Sequence, residues 1–319
     1  MTQSVRERLL NVPSEKIDVV LDTDAYNEID DQFAISYLLR SNDKLNTVAI
    51  YAAPFFNGRS TGPKDGMEKS YQEILKLLDL AEECKKKDIV FKGSERYLPS
   101  ETEPVFSPAS EDLCRRAQAY TNERPLYVVS IGAITNIASA LLIDPSISEK
   151  IVVVWLGGHA HHLPPEAEFN MSQDVAAARV IMESGVPFIQ LPCNGVISEF
   201  RISKPELEYW LLGKNPLADY LAKNTIEAAE ECAAKEFAAG ERTAEEYAAG
   251  TAWSRVIWDV TAVAWLLNEN NRFMESEIIP TPIPGYDSYT PNPNGHTMRY
   301  IYKINRDALM TDLMQKLTK

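Results

Sequence analysis

The chain has 319 residues, with 46 Asp plus Glu against 32 Lys plus Arg and a formal charge of −14. This balance argues against nucleic acid and anionic membrane as partners and points to a small neutral or cationic ligand. Hydrophobic residues at 45% and charged residues at 24% are ordinary for a folded globular protein. Cys84, Cys114, Cys193 and Cys232 show no CxxC spacing, the N-terminal segment lacks a signal-peptide core, and no run approaches ~18 apolar residues, so cytoplasmic residence is expected.

The elements alternate along the chain. A buried strand is predicted over 17–21 (IDVVL), and helical spacing follows through Ile29, Phe33, Ala34, Tyr37 and Leu38. Strands are then predicted at 46–54, 88–91, 126–131, 151–156 and 186–191, separated by helices at 67–80, 111–120, 133–142 and 174–183, the last closed by Gly185. From Lys204 the pattern becomes helical, with an Ala- and Glu-rich helical pair over 216–249, a buried helix at 258–267, a strand at 298–304 and a last helix from Arg306. Continuous apolar strands between helices mean a mostly parallel sheet covered on both faces. We expect one α/β domain over 1–319, a Rossmann-like sheet flanked by helices, with a helical embellishment at about 204–255 in the C-terminal half.

The chemistry concentrates where strands end. Asp22, Asp24, Asp30 and Asp31 gather at the first strand-to-helix turn. Carboxylates packed there repel one another unless a hard cation neutralises them, and oxygen-rich sites suit Ca²⁺ or Mg²⁺. Other candidates lie at later strand ends: Gly132 with Thr135-Asn136, then Glu168, Phe169 and Asn170 before a helix. His159, His161 and His162 cluster in one loop, able to bind a transition metal, line a polar pocket or face solvent. Asp259 opens an otherwise apolar helix, where it either caps the helix or needs a cation. Asn57 and Arg59 follow the second strand. There is no GxGxxG after the first strand, no GxxxxGK[ST], no HExxH and no GxSxG.

These segments, in this order, resemble the inosine–uridine-preferring nucleoside hydrolase family. Asp22-Thr23-Asp24 and Asp30-Asp31 look like the family's opening acidic motif with about two extra residues between them, Gly132-Ala133-Ile134-Thr135-Asn136 like its Gly-Pro-Leu-Thr-Asn segment, and Glu168-Phe169-Asn170 like its Glu-Phe-Asn. The resemblance implies hydrolysis of a ribonucleoside N-glycosidic bond, with inversion at the anomeric carbon. It implies one Ca²⁺ held by Asp24, Asp31, Asp259 and the main-chain carbonyl of Ile131. Asp24 would be the general base, and Asp30, Glu168, Asn170 and Asn57 would hold the ribose. His162 stands where the family often has a ribose-binding Asn. Trp258 replaces the His of the family's His-Asp pair and would stack on the base, leaving His159, His161 or His296 to assist the departing base. A nucleoside or other N-riboside is the expected partner, bound by a homodimer or homotetramer. Two rival readings are a catalytically silent nucleoside-binding protein and a haloacid dehalogenase-type phosphatase using Asp22 and Asp24. The latter lacks a later Gly-Asp-x-x-x-Asp run.

Overall fold

Val19, Val20 and Leu21 are all fully buried although neighbouring side chains of a strand point to opposite faces. The strand they build must therefore be covered on both sides. The computed structural model describes residues 1–163, 167–239, 243, 252–286 and 288–319. In chain order its elements are α1 (Gln3–Leu9), β1 (Ile17–Thr23), α2 (Asp30–Leu39), β2 (Leu45–Ala52), α3 (Pro63–Leu80), β3 (Val90–Lys92), α4 (Pro108–Ala117), β4 (Leu126–Ser130), α5 (Thr135–Ile143) and β5 (Ile151–Leu156). There follow α6 (Phe169–Gln173), α7 (Val175–Glu183), β6 (Phe188–Leu191), β7 (Arg201–Ser203), α8 (Lys204–Trp210), α9 (Pro216–Ala238), β8 (Ser254–Val256) and α10 (Val260–Trp265). The chain closes with β9 (Met274–Pro280), β10 (Ile283–Pro284), β11 (Tyr289–Thr290), β12 (Thr297–Ile304) and α11 (Arg306–Leu317).

Eight strands form the central sheet in the order β3-β2-β1-β4-β5-β6-β12-β9. All neighbours are parallel except β12 and β9. The chain leaves β1 toward β2 and β3, then returns to β4 on the other flank. Adjacent β1 and β4 thus form the topological switch point, where the crevice beyond the strand ends is open to a ligand. Side chains divide by alternation: Val19, Leu21, Val129 and Val154 pack with Phe33, Val263 and Leu313 on one face. Val20, Val128, Val153 and Trp155 pack with Leu113, Ile137 and Ile181 on the other. Burying each such side chain contributes about 1.5–3 kcal/mol, which makes the sheet a rigid support for the loops at its end.

Local chemistry explains where the elements differ from expectation. The strand expected at 88–91 is a 3₁₀ turn over Cys84–Ile89 followed by β3. β6 starts at Phe188, after Pro187, whose ring leaves no N–H for the ladder. Ser107 starts α4 earlier than its apolar pattern, accepting the Ser110 N–H at 3.1 Å. Gly185, at φ +76°, stands just past α7 as expected. The elements not among those predicted are short or at edges: α1, α6, β7, β8, β10, β11, and the edge strand β9, which pairs with β12 and alternates weakly in burial. Of the helical pair expected at 216–249, the first member is α9; the second lies outside the described residues except for position 243. No helix among the described residues is long and apolar enough to cross a membrane.

Candidate active site

β1 delivers its acids to the switch point one after another. Asp22 is tied down, accepting Asn136 Nδ2 at 2.7 Å and Ser130 Oγ at 2.9 Å. Thr23 Oγ1 donates to Asp31 Oδ1 at 2.5 Å, which fixes the first turn of α2 against the strand. Asp24 differs: both of its carboxylate oxygens are buried and have no hydrogen-bond partner. Gly132 is what admits it, because a Cβ at that position would lie 2.8 Å from Asp24 Oδ1. Asp259 stands at the N-cap position of α10 but makes no side-chain cap bond. Instead it faces α2, and Asp30, Asp31 and Asp259 each offer an oxygen within 4.8 Å of the others.

Five carboxylates in one buried place cannot all stay ionised alone. Burial first, and then repulsion from neighbouring acids, pushes Asp24, Asp31 and Asp259 well above the usual carboxylate range. Burial raises Asp22 to about 7, and burial with the nearby Glu28 raises Asp30 to about 7. The donor set consists of hard oxygens with two orphaned oxygens on Asp24, and it fits a divalent cation. The tight trio contains Asp30 where the resemblance would have put Asp24; Asp24 and the Ile131 carbonyl lie on the same cavity wall.

Another part of the lining comes from the loop after β5. Glu168 accepts the backbone N–H groups of Gly158, Asn170 and Met171 at 2.7–2.9 Å, capping α6. Asn170 Nδ2 donates to the carbonyls of Leu156 at 3.0 Å and Ile131 at 3.3 Å, bridging the ends of β5 and β4. Beneath the loop, Gln190 Nε2 donates to Gly157 O and to Tyr289 Oη, both at 2.9 Å. Its Oε1 is then an acceptor, so His161 Nε2, 2.9 Å away, must carry the proton. His161 packs between Tyr289 and Tyr300, with centroids 4.3 and 4.6 Å away, and burial lowers its pKa.

These walls enclose a cavity of about 290 Å³, near the lower end of the range for small-molecule sites. Of the expected residues, Asp24, Asp30, Asp31, Ile131, His159, Glu168, Asn170, Trp258 and Asp259 all line it. Three do not. His162 is exposed, with its side chain outside the wall. Asn57 reaches the cavity only through Asn27, to whose Oδ1 it donates at 2.6 Å. His296 immediately precedes β12, whose Arg299 pairs with Ile189 of β6, so it lies at the N-terminal end of the strands, away from the cavity. Its pKa falls to about 4, chiefly by burial. Asn27, Glu28, Cys193 and Asn194 also line the site but were not among the expected residues. The rule that ligands meet parallel strands at their carboxyl ends applies equally to β6 and points to Cys193 and Asn194.

The sequence pattern of the "Inosine-uridine preferring nucleoside hydrolase" family matches residues 19–309. A pyrimidine-specific ribonucleoside hydrolase, RihA, of Salmonella paratyphi A is 30% identical over 130 residues, 39% of this chain and 42% of that protein. The match thus spans less than half the length of that relative. Among solved structures, a plant nucleoside hydrolase superposes with a TM-score of 0.71 at 18% identity, covering 95% of this chain and 99% of the other. A purine-preferring ribonucleoside hydrolase from Gardnerella vaginalis gives 0.68 at 20% identity, covering 94% and 98%. These structural likenesses concern the fold, whereas the family pattern runs through both acidic loops, Glu168-Phe169-Asn170 and Asp259. The chain therefore belongs to the inosine-uridine preferring nucleoside hydrolase family.

Proposed function

We propose that this protein hydrolyses the N-glycosidic bond of a ribonucleoside, or a closely related N-riboside, to ribose and free base, in a site that holds Ca²⁺. The observation that carries this reading is Asp24: a buried carboxylate with two unpartnered oxygens, set among other acids that line a cavity. Asp24, Asp31, Asp259 and the Ile131 carbonyl are the residues that would hold the ion, with Asp30 close enough to share it. Bound there, a hard cation polarises a water and lowers its pKa. Cytoplasmic residence fits four cysteines that are scattered along the chain with no CxxC spacing.

The chain's own groups supply the remaining chemistry. Asp24 accepts the proton of the attacking water, a role open to a buried carboxylate whose two oxygens have no protein partner among the described residues. Asp30 accepts from the ribose diol, while Glu168 and Asn170 hold the sugar. As the C–N bond breaks, positive charge grows on the anomeric carbon, and the surrounding carboxylates stabilise it. No second carboxylate is placed as a nucleophile, so a single displacement inverts the anomeric carbon. The departing base needs a proton. Among the four histidines only His159 lines the cavity; the Asn194 N–H donates to its Nδ1 at 3.2 Å, and its Nε2 lies 3.5 Å from the Asn194 side-chain amide. Trp258 on the same wall offers an indole face for stacking on the base.

Two features favour a nucleoside over a phosphorylated substrate. Among the described residues, none that lines the cavity is Lys or Arg, and the whole chain carries a charge of −14. Both also weigh against the phosphatase reading. The experiment is release of reducing sugar and free base from a panel of purine and pyrimidine ribonucleosides, by wild type and by Asp24→Ala. Turnover should fall by roughly 10²–10⁴-fold in the variant, with the fold intact by circular dichroism. Chelation should abolish turnover and Ca²⁺ restore it. A variant as active as wild type, or restoration by Zn²⁺ alone, refutes the assignment.

A further inference from the structure

We propose that Asn27 donates a hydrogen bond to the substrate and that Asn57, behind it, sets which end of its amide faces the cavity. This extends the hydrolase reading above and depends on it. An amide side chain has one accepting and one donating end. Here the choice is settled by a relay that begins at a group with no choice. The backbone N–H of Arg59 can only donate, and it donates to Asn57 Oδ1 at 2.8 Å. Asn57 therefore turns its Nδ2 away, and that group donates to Asn27 Oδ1 at 2.6 Å. Asn27 Nδ2 is left without a protein partner among the described residues, on a side chain that lines the cavity and is only 8% exposed.

The loop that carries Asn27 is pinned as well as oriented. Its N–H donates to Asp24 O at 2.7 Å, and its carbonyl accepts from Arg59 Nη1 at 3.2 Å. The Arg59 guanidinium in turn lies 4.8 Å from the centre of the Tyr26 ring. Tyr26 and Asn27 belong to the acidic loop that is longer here than in the family pattern it resembles. The neighbouring wall is made of Asp24, Glu28, Asp30, Asp31 and Asp259, acceptors when ionised, which match hydroxyl protons. An oxygen lone pair on the substrate, on the ribose hydroxymethyl group or on a base carbonyl, finds no counterpart in those ions. Asn27 Nδ2 supplies one.

The relay makes an unusual test available, because the amide can be turned by a change outside the cavity. Asn27→Asp replaces the donor by an acceptor directly. In Asn57→Asp the residue still accepts from Arg59, but its second oxygen now faces Asn27, whose amide must rotate to donate outward and so present its own oxygen to the substrate. Both variants should raise KM about tenfold on the preferred nucleoside, more than either changes kcat. Unchanged KM in Asn57→Asp, or a loss confined to kcat, overturns the proposal. The 5′-deoxynucleoside separates the two acceptors. If the hydroxymethyl oxygen is the partner, wild type loses the same factor on this substrate and Asn27→Asp adds nothing; if the base carbonyl is, the Asn27→Asp penalty persists. Dissociation constants of the same nucleosides are measured calorimetrically in parallel. A wild type that binds without releasing sugar refutes the hydrolase reading while the Asn27 comparison stands on affinity, and a wild type that binds none of them refutes both.

Discussion

Adding and removing Ca²⁺ across the pH range tests the acid cluster most directly. Asp22 and Asp30 sit at about 7 instead of the ordinary 3.8, Asp22 by burial and Asp30 by burial and the nearby Glu28. The folded protein therefore keeps protons that the unfolded chain releases near pH 4. Between these values the folded state binds more protons, so stability without a cation falls as pH rises from about 4 through 7. A shift of about 3 units corresponds to about 4 kcal/mol for one such group, and the contributions of interacting acids do not simply add. Other groups act in the same range. His161 and His296 are lowered by burial, so their contribution has the opposite sign: it is lost as pH falls below about 6.5. Paired surface acids such as Asp65 and Glu206 are lowered below the ordinary carboxylate value, so they matter only at lower pH.

Taking the difference between melting temperatures in Ca²⁺ and in EDTA cancels these background terms. A cation needs its carboxylates ionised, so its binding becomes more favourable as pH rises and the protons leave. The Ca²⁺-dependent rise in Tm should therefore grow as pH rises from about 5 and level off above about 7, as the last of these protons leave. At roughly 2 °C per kcal/mol for a chain of this size, one group's 4 kcal/mol amounts to on the order of 8 °C. Asp30→Asn should flatten that slope. A Ca²⁺-dependent shift that is constant or shrinks as pH rises would refute the assignment of these acids to a cation site.

Further outcomes follow from single positions. Gly158→Ala should cost on the order of 2 kcal/mol or more in urea unfolding, because its φ is +78° and a Cβ would stand 1.7 Å from Tyr289 Oη; a neutral variant contradicts the packing of that loop. His159→Gln should slow release of unactivated bases by roughly 10²-fold while sparing a p-nitrophenyl riboside, whose leaving group needs no proton. Equal losses on both substrates would assign His159 a role in holding the sugar. Gly132→Ala should depress turnover by displacing Asp24, whose Oδ1 would lie 2.8 Å from the new Cβ, with KM changing less than kcat.

Local pattern made much of the architecture legible. Apolar runs such as LYVVS and IVVVWL can be satisfied only by cover on both faces, and they became β4 and β5 at the centre of the parallel sheet. Edge strand β9 was not legible, because a strand with one partner and one wet side lacks that signature. The acidic loop was visible as a charge problem and Glu168-Phe169-Asn170 as a motif, since both lie in short contiguous stretches. His162 and His296 show the limit of the same reading. Residue type marked them as candidates, but strand direction carries His296 to the far end of the sheet and the loop's path leaves His162 in solvent.

What the sequence by itself determined was the alternation of central strands and helices through β6 and the set of acids that must meet a cation or share protons, because burial pattern and charge density are properties of near neighbours. Contact between distant segments was decided only by the tertiary structure. Asp259 leaves its capping role to face Asp30 and Asp31 because α10 packs against α2. Asp24 is left without a donor because Gly132 brings the β4 loop against it with no side chain between. The orientation of Asn27 depends on an amide 30 residues away, and through it on one backbone N–H. Hydrogen-bond direction is a property of assembled partners, and no residue carries it alone.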